Sequence, residues 1–364
     1  MLEKTLAKIV REEIVAHGGA LPFARFMELA LYCPNLGYYE AKRDTVGRRG
    51  DFYTSVSVGN LFGELLAFQF ADWLEEIKSP DAQLRIIEAG AHDGRLARDI
   101  LMWLRSNRPA LFGELEYAIL EPSPRRREWQ RETLEHFAEK IRWFSGFDTS
   151  ISGCITGIIF SNELLDAFPV RRLGWNAEKR KWFEWGVAVS GDKLTPAKIE
   201  LAENDAPLAG VPPALLDVLP DNFTTETSPA AANWWHLAAA SLSRGKLMTA
   251  DYGLDAEEYF VPSRRDGTLR GFYRHHLADD LLANVGEQDL TAHVNFTDVQ
   301  RAGEEAGLKT EFYSTQARFL TRILETTLKD KQFGEWTSAR GRQFQTLTHP
   351  EHLGRAFRAL VQSR

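Results

Sequence analysis

Three residues that can do ligand chemistry stand close together in the stretch LRIIEAGAHDGRLARDIL, which runs from Leu84 to Leu101. They are Glu88, Gly90 and Gly94. A carboxylate at the end of an apolar segment is costly unless a cation pairs with it. Glycines let the backbone approach a ligand and take positive φ angles without strain. These residue types predict a site for a ligand that carries an ammonium group.

The elements that must position these residues can be read from two periodicities in the same stretch. Its first residues are a short apolar run ended by Glu88, which is typical of a buried strand. From Leu96 onwards apolar residues return at helical spacing, with Arg and Asp on the other face. In doubly wound sheets a nucleotide-like ligand binds where the carboxyl end of a strand meets the N-terminus of the next helix. We therefore predict a strand, a ligand-binding turn and a helix.

Three interpretations of this turn compete. The dinucleotide fingerprint G-x-G-x-x-G is not met, because His92 stands between Gly90 and Gly94, and this disfavours a nicotinamide oxidoreductase. The S-adenosylmethionine pattern E/D-x-G-x-G-x-G fits Glu88, Gly90 and Gly94 but lacks the middle glycine. An ordinary strand–helix turn is the third interpretation. Glu88 and the acids further along the chain favour the second.

Asp51 and Thr54 lie in a polar segment just ahead of a predicted long amphipathic helix. Such residues commonly close a surface turn. Their position before the glycine turn favours the alternative that they face the ligand. Asn60 is expected to cap the helix that begins at Leu61.

Glu121 ends a second predicted strand, LEYAILE, at 115–121. In doubly wound folds an acid about 20 residues beyond the glycine turn receives the ribose hydroxyls of an adenosine. The alternative, a carboxylate that caps the following helix, is weaker because Pro122 and Ser123 intervene. The basic run Arg125–Arg127 is expected on a solvated helix face.

Asn162, Glu163 and Asp166 follow a predicted strand that begins at Ile155 and takes the place of the fourth strand in the α/β order. In the α/β order the carboxyl end of this strand lies beside the switch point, over the group that reacts. An asparagine followed by acids is also a common helix N-cap. The two interpretations are compatible, and both stay open.

Two later segments, 267–276 and 286–299, are too polar for a core and contain His275, His276 and His293. These histidines do not have the i, i+4 spacing of a helical metal pair, so no metal site is predicted. His276 is expected to be structural or solvated.

The composition is that of an ordinary globular protein, with a net charge of −7 and a pI of about 5.8. This charge argues against nucleic acid as a main partner. No apolar run approaches the roughly 18 residues that span a bilayer, so no membrane insertion is expected. Cys33 and Cys154 suit a reducing compartment, and no transit peptide is visible. We expect a cytoplasmic protein; its oligomeric state stays open, with a homodimer as the candidate assembly.

The predicted architecture is an α/β fold with a Rossmann-like sheet. Residues 1–60 form a helical cap, and 61–174 together with 246–325 form the core. An inserted subdomain at 175–245 contains short antiparallel strands, and 326–364 is expected to be helical. Thr297 or Asp298 is expected to cap the last core helix, which is followed by a strand and helix at 309–320.

Taken together, these stretches resemble the MidA-like methyltransferases, a family that includes the mitochondrial complex I assembly methyltransferases and their bacterial relatives. The motifs that carry the resemblance run in the family's order from about residue 22 to 300. They are FMELALYCPNLGYY, GDFYTS with FGELLA, EAGAHDGRLARDIL, LEPSPRRREWQ, SNELLDAFPV, ADYG, GTLRGFYRHH and GEQDLTAHVNF. The resemblance implies a class I methyltransferase fold, S-adenosylmethionine as the methyl donor, and a protein arginine as the acceptor. For the mitochondrial members that acceptor lies on a complex I subunit.

The resemblance also implies roles for the residues already singled out. Glu88, Gly90 and Gly94 would hold the methionine part of the donor, and Glu121 would bind its ribose. The remaining candidates for donor contact are Asp51, Thr54 and His92, and those for the reaction centre are Asn162, Glu163 and Asp166. The chain departs from the family's motifs at His92, which replaces a glycine, and at Asn295, which replaces an aspartate.

A guanidinium acceptor is a cation, so it needs carboxylates to orient it and a group to accept a proton. Glu163 and Asp166 are the candidates for orientation, and His293 is a candidate proton acceptor. The alternative function, suggested by His92, is an assembly or binding protein that retains the fold without turnover.

Overall fold

The computed structural model describes residues 5–41, 54–79, 82–147, 155–202, 205, 211–274, 276–351 and 353–364. Within these residues no helix is both long and apolar enough to cross a membrane.

Helices and strands are interspersed along the described part of the chain, as in other α/β proteins. In chain order they are α1 (Leu6–Ala16), α2 (Phe23–Tyr32), α3 (Tyr38–Ala41), α4 (Leu61–Ile77), α5 (Arg95–Asn107), α6 (Pro109–Glu114), α7 (Pro124–Thr133), α8 (Pro213–Leu216), α9 (Pro229–Ser241), α10 (Ala256–Tyr259), α11 (Phe296–Glu305), α12 (Gln316–Thr327) and α13 (Ser338–Thr348).

The strands range from two residues to thirteen. In chain order they are β1 (Leu21–Pro22), β2 (Leu84–Ala89), β3 (Glu116–Leu120), β4 (Ile141–Phe144), β5 (Ile155–Asn162), β6 (Arg171–Asn176), β7 (Lys181–Ser190), β8 (Lys193–Glu200), β9 (Thr224–Thr227), β10 (Leu242–Leu254), β11 (Arg270–Tyr273), β12 (His276–Leu277), β13 (Asp289–Thr291), β14 (Val294–Asn295), β15 (Lys309–Thr315) and β16 (Phe357–Ser363).

The chain divides into two compact units, each made of segments that are discontinuous in sequence. The first unit takes Met1–Lys42, Asp166–Ala232 and Leu254–Thr297. The second takes Arg43–Leu165, Asn233–Gly253 and Asp298–Arg364. This grouping differs from the division expected from the sequence, because the N-terminal helices and residues 254–297 cluster with the antiparallel strands.

The second unit is built on a mixed sheet with the strand order β15-β16-β10-β5-β2-β3-β4. The pairs β4–β3, β3–β2, β2–β5 and β5–β10 are parallel, whereas β16 is antiparallel to both of its neighbours. Ile86 and Ile87, which point to opposite faces of β2, are both fully buried. Both faces of this strand are therefore covered, as is usual for parallel sheets.

The helix α4 lies at the centre of this unit's core, next to α5, α12 and α13. The predicted long helix is present, but most of its side chains are buried, so its polar face is narrower than that of an ordinary amphipathic helix. Asn60 stands at its N-cap position but its side chain does not cap; Nδ2 donates to Oε1 of Glu64 instead. The expected side-chain cap is therefore absent, because Asn60 has a helical backbone (φ −74°, ψ −15°) and not the extended backbone of a capping residue.

The C-terminal segment is not purely helical, contrary to the expectation for 326–364. After α12 and α13 the chain forms β16, which lies between β10 and β15. Its register places Ala359 opposite Ala250 and opposite Ser314. The apolar run of β16 is short, and only its long-range pairing identifies it as a buried strand.

The first unit contains an antiparallel sheet with the order β1-β7-β6-β9, in which β8 also pairs with β7. A second small sheet has the order β12-β11-β13. The apolar face of α1 and α2 packs with residues of β7, β13 and the 267–292 region, including Val10, Phe26, Val187 and Leu290. The predicted N-terminal helices and antiparallel strands are thus present.

The predicted cap of α11 is wrong by one to two residues. The helix begins at Phe296, so Thr297 and Asp298 already lie inside its first turn. Oγ1 of Thr297 accepts the N–H of Ala256, not an N–H of its own helix.

Candidate functional site

Glu88 lies near the carboxyl end of β2 and is 2% exposed. The phenol of Tyr117, on the neighbouring strand β3, donates a 2.6 Å hydrogen bond to its Oε2. Burial raises the pKa of Glu88 to about 8; the bond from Tyr117 opposes that rise, and the charges of Asp93 and Asp99 add to it. A cation placed beside this carboxylate would lower its pKa again.

The turn after β2 has the positive φ angles expected of its glycines. Gly90 has φ 77°, and Gly94, at the N-cap of α5, has φ 86°. A Cβ on Gly90 would lie 3.0 Å from Cδ1 of Leu164, so a side chain there would have to displace its neighbour. The turn therefore needs glycine at both positions.

His92, at the position where the pattern has its middle glycine, also takes a left-handed conformation, with φ 47°. Its Nδ1 lies 3.8 Å from Oδ1 of Asp93, which also receives the N–H of Arg95 at 3.2 Å. Burial alone would raise the pKa of Asp93, but the His92 contact and the Arg95 charge outweigh it and lower that pKa. The imidazole is thus placed against the acid that follows it in the chain.

Glu121 follows β3 and is 1% exposed. Its Oε1 accepts the N–H of Ser123 at 2.9 Å and Nε of Arg126 at 3.0 Å. Its Oε2 accepts Nε2 of Gln130 at 3.1 Å. The expectation that Arg125–Arg127 is a solvated face is wrong for Arg126, whose guanidinium forms an ion pair with Glu121. The carboxylate is held in one orientation by α7.

Asn162 and Glu163 stand at the carboxyl end of β5, between β2 and β10. Glu163 has φ 52°, an unusual conformation for a residue other than glycine. Its N–H donates to the carbonyl of Ala250 at 3.0 Å. Its Oε1 accepts the N–H of Ser55 at 3.0 Å and Nδ2 of Asn162 at 3.1 Å. Ser55 and Asn162 therefore fix the carboxylate, and Ala250 fixes the main chain of the same residue.

The interpretation of Asn162 as a helix N-cap is wrong. Asn162 is the last residue of β5, and its amide contacts the side chain of Glu163. The N–H groups that follow, of Leu164 and Leu165, donate to Oδ2 of Asp251 at 3.1 and 2.8 Å. The carboxylate of Asp251, on β10, thus accepts the main-chain N–H bonds that a capping side chain would accept.

Asp251, near the end of β10, is a functional candidate to which the sequence analysis assigns no role. It is fully buried, and its Oδ1 accepts the N–H of Tyr252 at 2.8 Å. Through Leu164 and Leu165 it holds the backbone immediately after Glu163. Nothing in the local sequence indicates this role, because Leu164 and Leu165 stand 87 and 86 residues earlier in the chain.

Thr54 is 7% exposed and closes a tight turn with Ser57. Its Oγ1 accepts the N–H of Ser57 at 3.2 Å, and Oγ of Ser57 donates to the Thr54 carbonyl at 2.7 Å. The turn precedes Ser55 and α4, so Thr54 supports the segment that donates to Glu163. Asp51 lies outside the described residues.

Asp166 and His293 belong to the first unit. The carbonyl of Asp166 accepts the N–H of Ala292 at 2.9 Å, which joins its main chain to the strand region before His293. Burial raises the pKa of Asp166 to about 7, although main-chain N–H groups of Asp166 and Ala167 favour its carboxylate. This pKa allows the carboxyl group to exchange a proton near neutral pH.

His293 is largely buried, and Nδ1 has no hydrogen-bond partner within the part of the chain that the structure describes. Burial, helped by the positive charges of Arg264 and Arg270, lowers its pKa to about 4. The imidazole is therefore neutral near pH 7 and a weak proton acceptor. His276, by contrast, is exposed, as expected.

Among the described residues, no group of three or more His, Cys, Asp and Glu side chains is arranged to hold a metal ion.

Comparison with known proteins gives a consistent result. Residues 65–314 match the model of a family described as "Putative S-adenosyl-L-methionine-dependent methyltransferase". The chain is similar to a protein arginine methyltransferase NDUFAF7 homolog, mitochondrial, of Drosophila melanogaster, with 27% identity over 98% of this chain and 84% of that protein. It is 30% identical to protein arginine methyltransferase NDUFAF7, mitochondrial, of Rattus norvegicus, over 79% of this chain and 67% of that protein.

A solved structure covers almost the whole chain. It is a protein of Burkholderia thailandensis crystallised with S-adenosyl-homocysteine, 34% identical, with a TM-score of 0.85 over 99% of this chain and 92% of that one. A native crystal structure from the same organism is 33% identical, with a TM-score of 0.83.

Proposed function

Because the chain belongs to the S-adenosyl-L-methionine-dependent methyltransferase family that residues 65–314 match, we propose that it methylates arginine side chains of a protein. The α/β fold with its mixed central sheet, and the use of S-adenosylmethionine as donor, are those of this family. The names of the relatives from Drosophila melanogaster and Rattus norvegicus support arginine as the acceptor.

The residues of the β2–α5 turn fit the donor. Burial raises the pKa of Glu88, so a cation beside it would stabilise its ionised form. The ammonium group of the donor is such a cation. Gly90 and Gly94 take the positive φ angles of the turn without the strain that a Cβ would add, and glycine lets the main chain approach a ligand closely. Glu121, held by α7, would accept the ribose hydroxyls. Donor contacts from Thr54, Asp51 and His92 are part of the same proposal.

The observation that carries the proposal is the strained backbone of Glu163. A non-glycine residue with positive φ persists only where its surroundings hold it, and such strain is concentrated at functional sites. Here Ala250, Asp251 and Ser55 supply the holding hydrogen bonds. These bonds hold the carboxylate of Glu163 at the end of β5. In doubly wound sheets the corresponding strand end lies beside the ligand.

The bound donor supplies an electrophilic methyl group, so the residues must orient the acceptor nitrogen and receive its proton. The guanidinium is a permanent cation that carboxylates bind through paired N–H groups. We assign its orientation to Glu163 with Asn162. Asp166, which follows closely in the chain, is the preferred proton acceptor because its pKa of about 7 suits that task better than the pKa of about 4 at His293.

The family resemblance extends the proposal to a subunit of a respiratory complex I type enzyme as the acceptor protein. The alternative is an assembly or binding protein that keeps the fold and the donor site without turnover. The two make opposite predictions for methyl transfer, and the same experiment separates them.

The test compares arginine methylation by mass spectrometry in cells that lack the protein and in cells complemented with the parent chain or with Glu163→Gln. We expect one or a few methylarginine sites to disappear without the protein, to return with the parent, and not to return with Glu163→Gln. Donor affinity of Glu163→Gln should stay within a few-fold of the parent. Sites that return equally with Glu163→Gln would contradict its catalytic role. No change at any arginine would favour the assembly protein.

A further inference from the structure

Gln130 is a fully buried polar residue on α7 that the sequence reasoning did not single out. Its Nε2 donates to the carbonyl of His92 and to Oε2 of Glu121, at 3.1 Å in each case. Its Oε1 accepts the indole N–H of Trp143 at 2.9 Å. One side chain thus links the glycine turn, the acid after β3 and the strand β4.

The orientation of this amide is determined by its partners. The indole N–H of Trp143 can only donate, so it must face Oε1 of Gln130. The carbonyl of His92 and the carboxylate of Glu121 can only accept, so they must face the NH₂ group. Because each partner admits a single orientation, the side chain cannot rotate its amide without losing all three bonds.

We propose that Gln130 is a positioning residue that fixes the distance between the two halves of the donor site. This inference rests on the assignment of the β2–α5 turn to the methionine part of the donor and of Glu121 to its ribose. A donor that makes both contacts at once must match their separation, so its affinity depends on that separation as well as on each contact alone.

The bond to His92 has a second effect. His92 carries the left-handed strain that a glycine would avoid, with φ 47°. The bond from Gln130 to its carbonyl is one of the interactions that hold the peptide in that conformation. Gln130 therefore stabilises the turn at the position where the S-adenosylmethionine pattern has a glycine.

The test is Gln130→Met, which keeps the length of the side chain and removes its hydrogen bonds. Calorimetry with S-adenosyl-homocysteine should show about tenfold weaker binding. In methylation assays KM for the donor should rise by a similar factor, while kcat at saturating donor stays within twofold. Glu128→Gln, on an exposed position of the same helix, is the matched control and should bind as the parent does.

Two further variants keep the inference testable if Gln130→Met does not fold. Trp143→Phe leaves Gln130 in place but removes the indole N–H that orients its amide. The affinity for S-adenosyl-homocysteine should therefore fall by a smaller factor than in Gln130→Met. In Gln130→Glu, the ionised carboxylate at neutral pH cannot donate to the carbonyl of His92 or to Glu121. The protonated carboxyl group can donate a hydrogen bond to one of them again. The binding deficit of Gln130→Glu relative to the parent should therefore narrow as the pH falls.

Folded Gln130→Met with parent-like affinity for S-adenosyl-homocysteine would overturn the inference. A loss of kcat with unchanged KM would also overturn it, since that pattern places the effect at the reaction centre. A parent chain that does not bind S-adenosyl-homocysteine would overturn the donor-site assignment itself. These results differ from failure of the arginine proposal, which leaves donor binding intact.

Discussion

Glu88 and Tyr117 come from adjacent parallel strands, and the phenol of Tyr117 donates a 2.6 Å hydrogen bond to Oε2 of Glu88. The bond favours the ionised acid, yet burial dominates and raises the pKa of Glu88 to about 8. The free protein therefore holds a largely protonated acid at the place where a donor ammonium is expected. Binding of the donor should remove that proton.

The first prediction is that Glu88→Ala abolishes or greatly weakens donor binding while the fold survives. Loss of one charged hydrogen-bond partner costs roughly 1.5–3 kcal/mol, or about ten- to a hundredfold in affinity. Calorimetry with S-adenosyl-homocysteine measures the change. Glu116→Gln, at the opposite end of the neighbouring strand, is the control and should bind normally. An unchanged affinity in folded Glu88→Ala would refute the assignment.

The second prediction concerns the pH dependence of donor affinity. Only the ionised carboxylate of Glu88 attracts the ammonium, so the dissociation constant should fall as the pH rises from 6 and level off above about 8. Glu88→Gln should lose most of this dependence. Tyr117→Phe removes a bond that lowers the pKa of Glu88, so it should move the transition to higher pH. A flat profile in the parent chain is the contrary outcome.

The third prediction is the effect of Glu88 on folding stability in the absence of donor. Its pKa is raised on folding, from an ordinary value near 4.5 to about 8. The stabilising contribution of the proton is therefore complete below pH 4.5 and is lost as the pH rises through 8. Thermal unfolding should show the Tm of the parent falling relative to that of Glu88→Gln between pH 5 and 9. Parallel curves would show that Glu88 does not titrate in this range.

The fourth prediction is that Asp251→Asn lowers methyl transfer while donor affinity stays within a few-fold. An amide in place of the carboxylate turns an N–H donor toward Leu164, Leu165 or Tyr252, so at least one bond that holds the Glu163 turn is lost. Single-turnover kinetics measure the loss. The double variant Asp251→Asn with Glu163→Gln should transfer methyl groups only slightly more slowly than either single variant, because both residues act on the same turn. Additive losses would separate the two residues.

The fifth prediction is that His92→Gly tightens donor binding. Removal of the side chain relieves left-handed strain on the order of 1–2 kcal/mol, while the carbonyl at position 92 can still accept from Gln130. The same substitution removes the contact between Asp93 and the imidazole, so the pKa of Asp93 should rise. Calorimetry on both chains decides. Weaker binding by His92→Gly would identify the imidazole as a ligand contact.

The sequence predicted the parts of this molecule that depend on short stretches. The strand, glycine turn and helix around Glu88 are present, because an apolar run, two glycines and a helical stripe act locally. Glu121 and Glu163 likewise follow the strands that were expected. Their roles as ligand contacts stay predictions.

The features that the sequence did not predict depend on contacts between distant segments. Asp251 replaces Asn162 as the group that accepts the N–H bonds after β5, and Gln130 meets His92 across the fold. A single glutamine on a polar helix carries no local sign of burial. Arg126 was expected in solvent for the same reason, since only the fold places Glu121 beside it.

The place of β16 in the sheet has a consequence for how the protein folds. This strand pairs Lys246 of β10 with Ser363 and Tyr252 with Phe357, so a loop of more than a hundred residues closes when it docks. Loops of that length form slowly, because their closing entropy is lost before their contacts form. Until then one edge of β10 has unpaired N–H and C=O groups, as an exposed sheet edge does. Folding intermediates that lack β16 should therefore be the species most prone to aggregate during refolding.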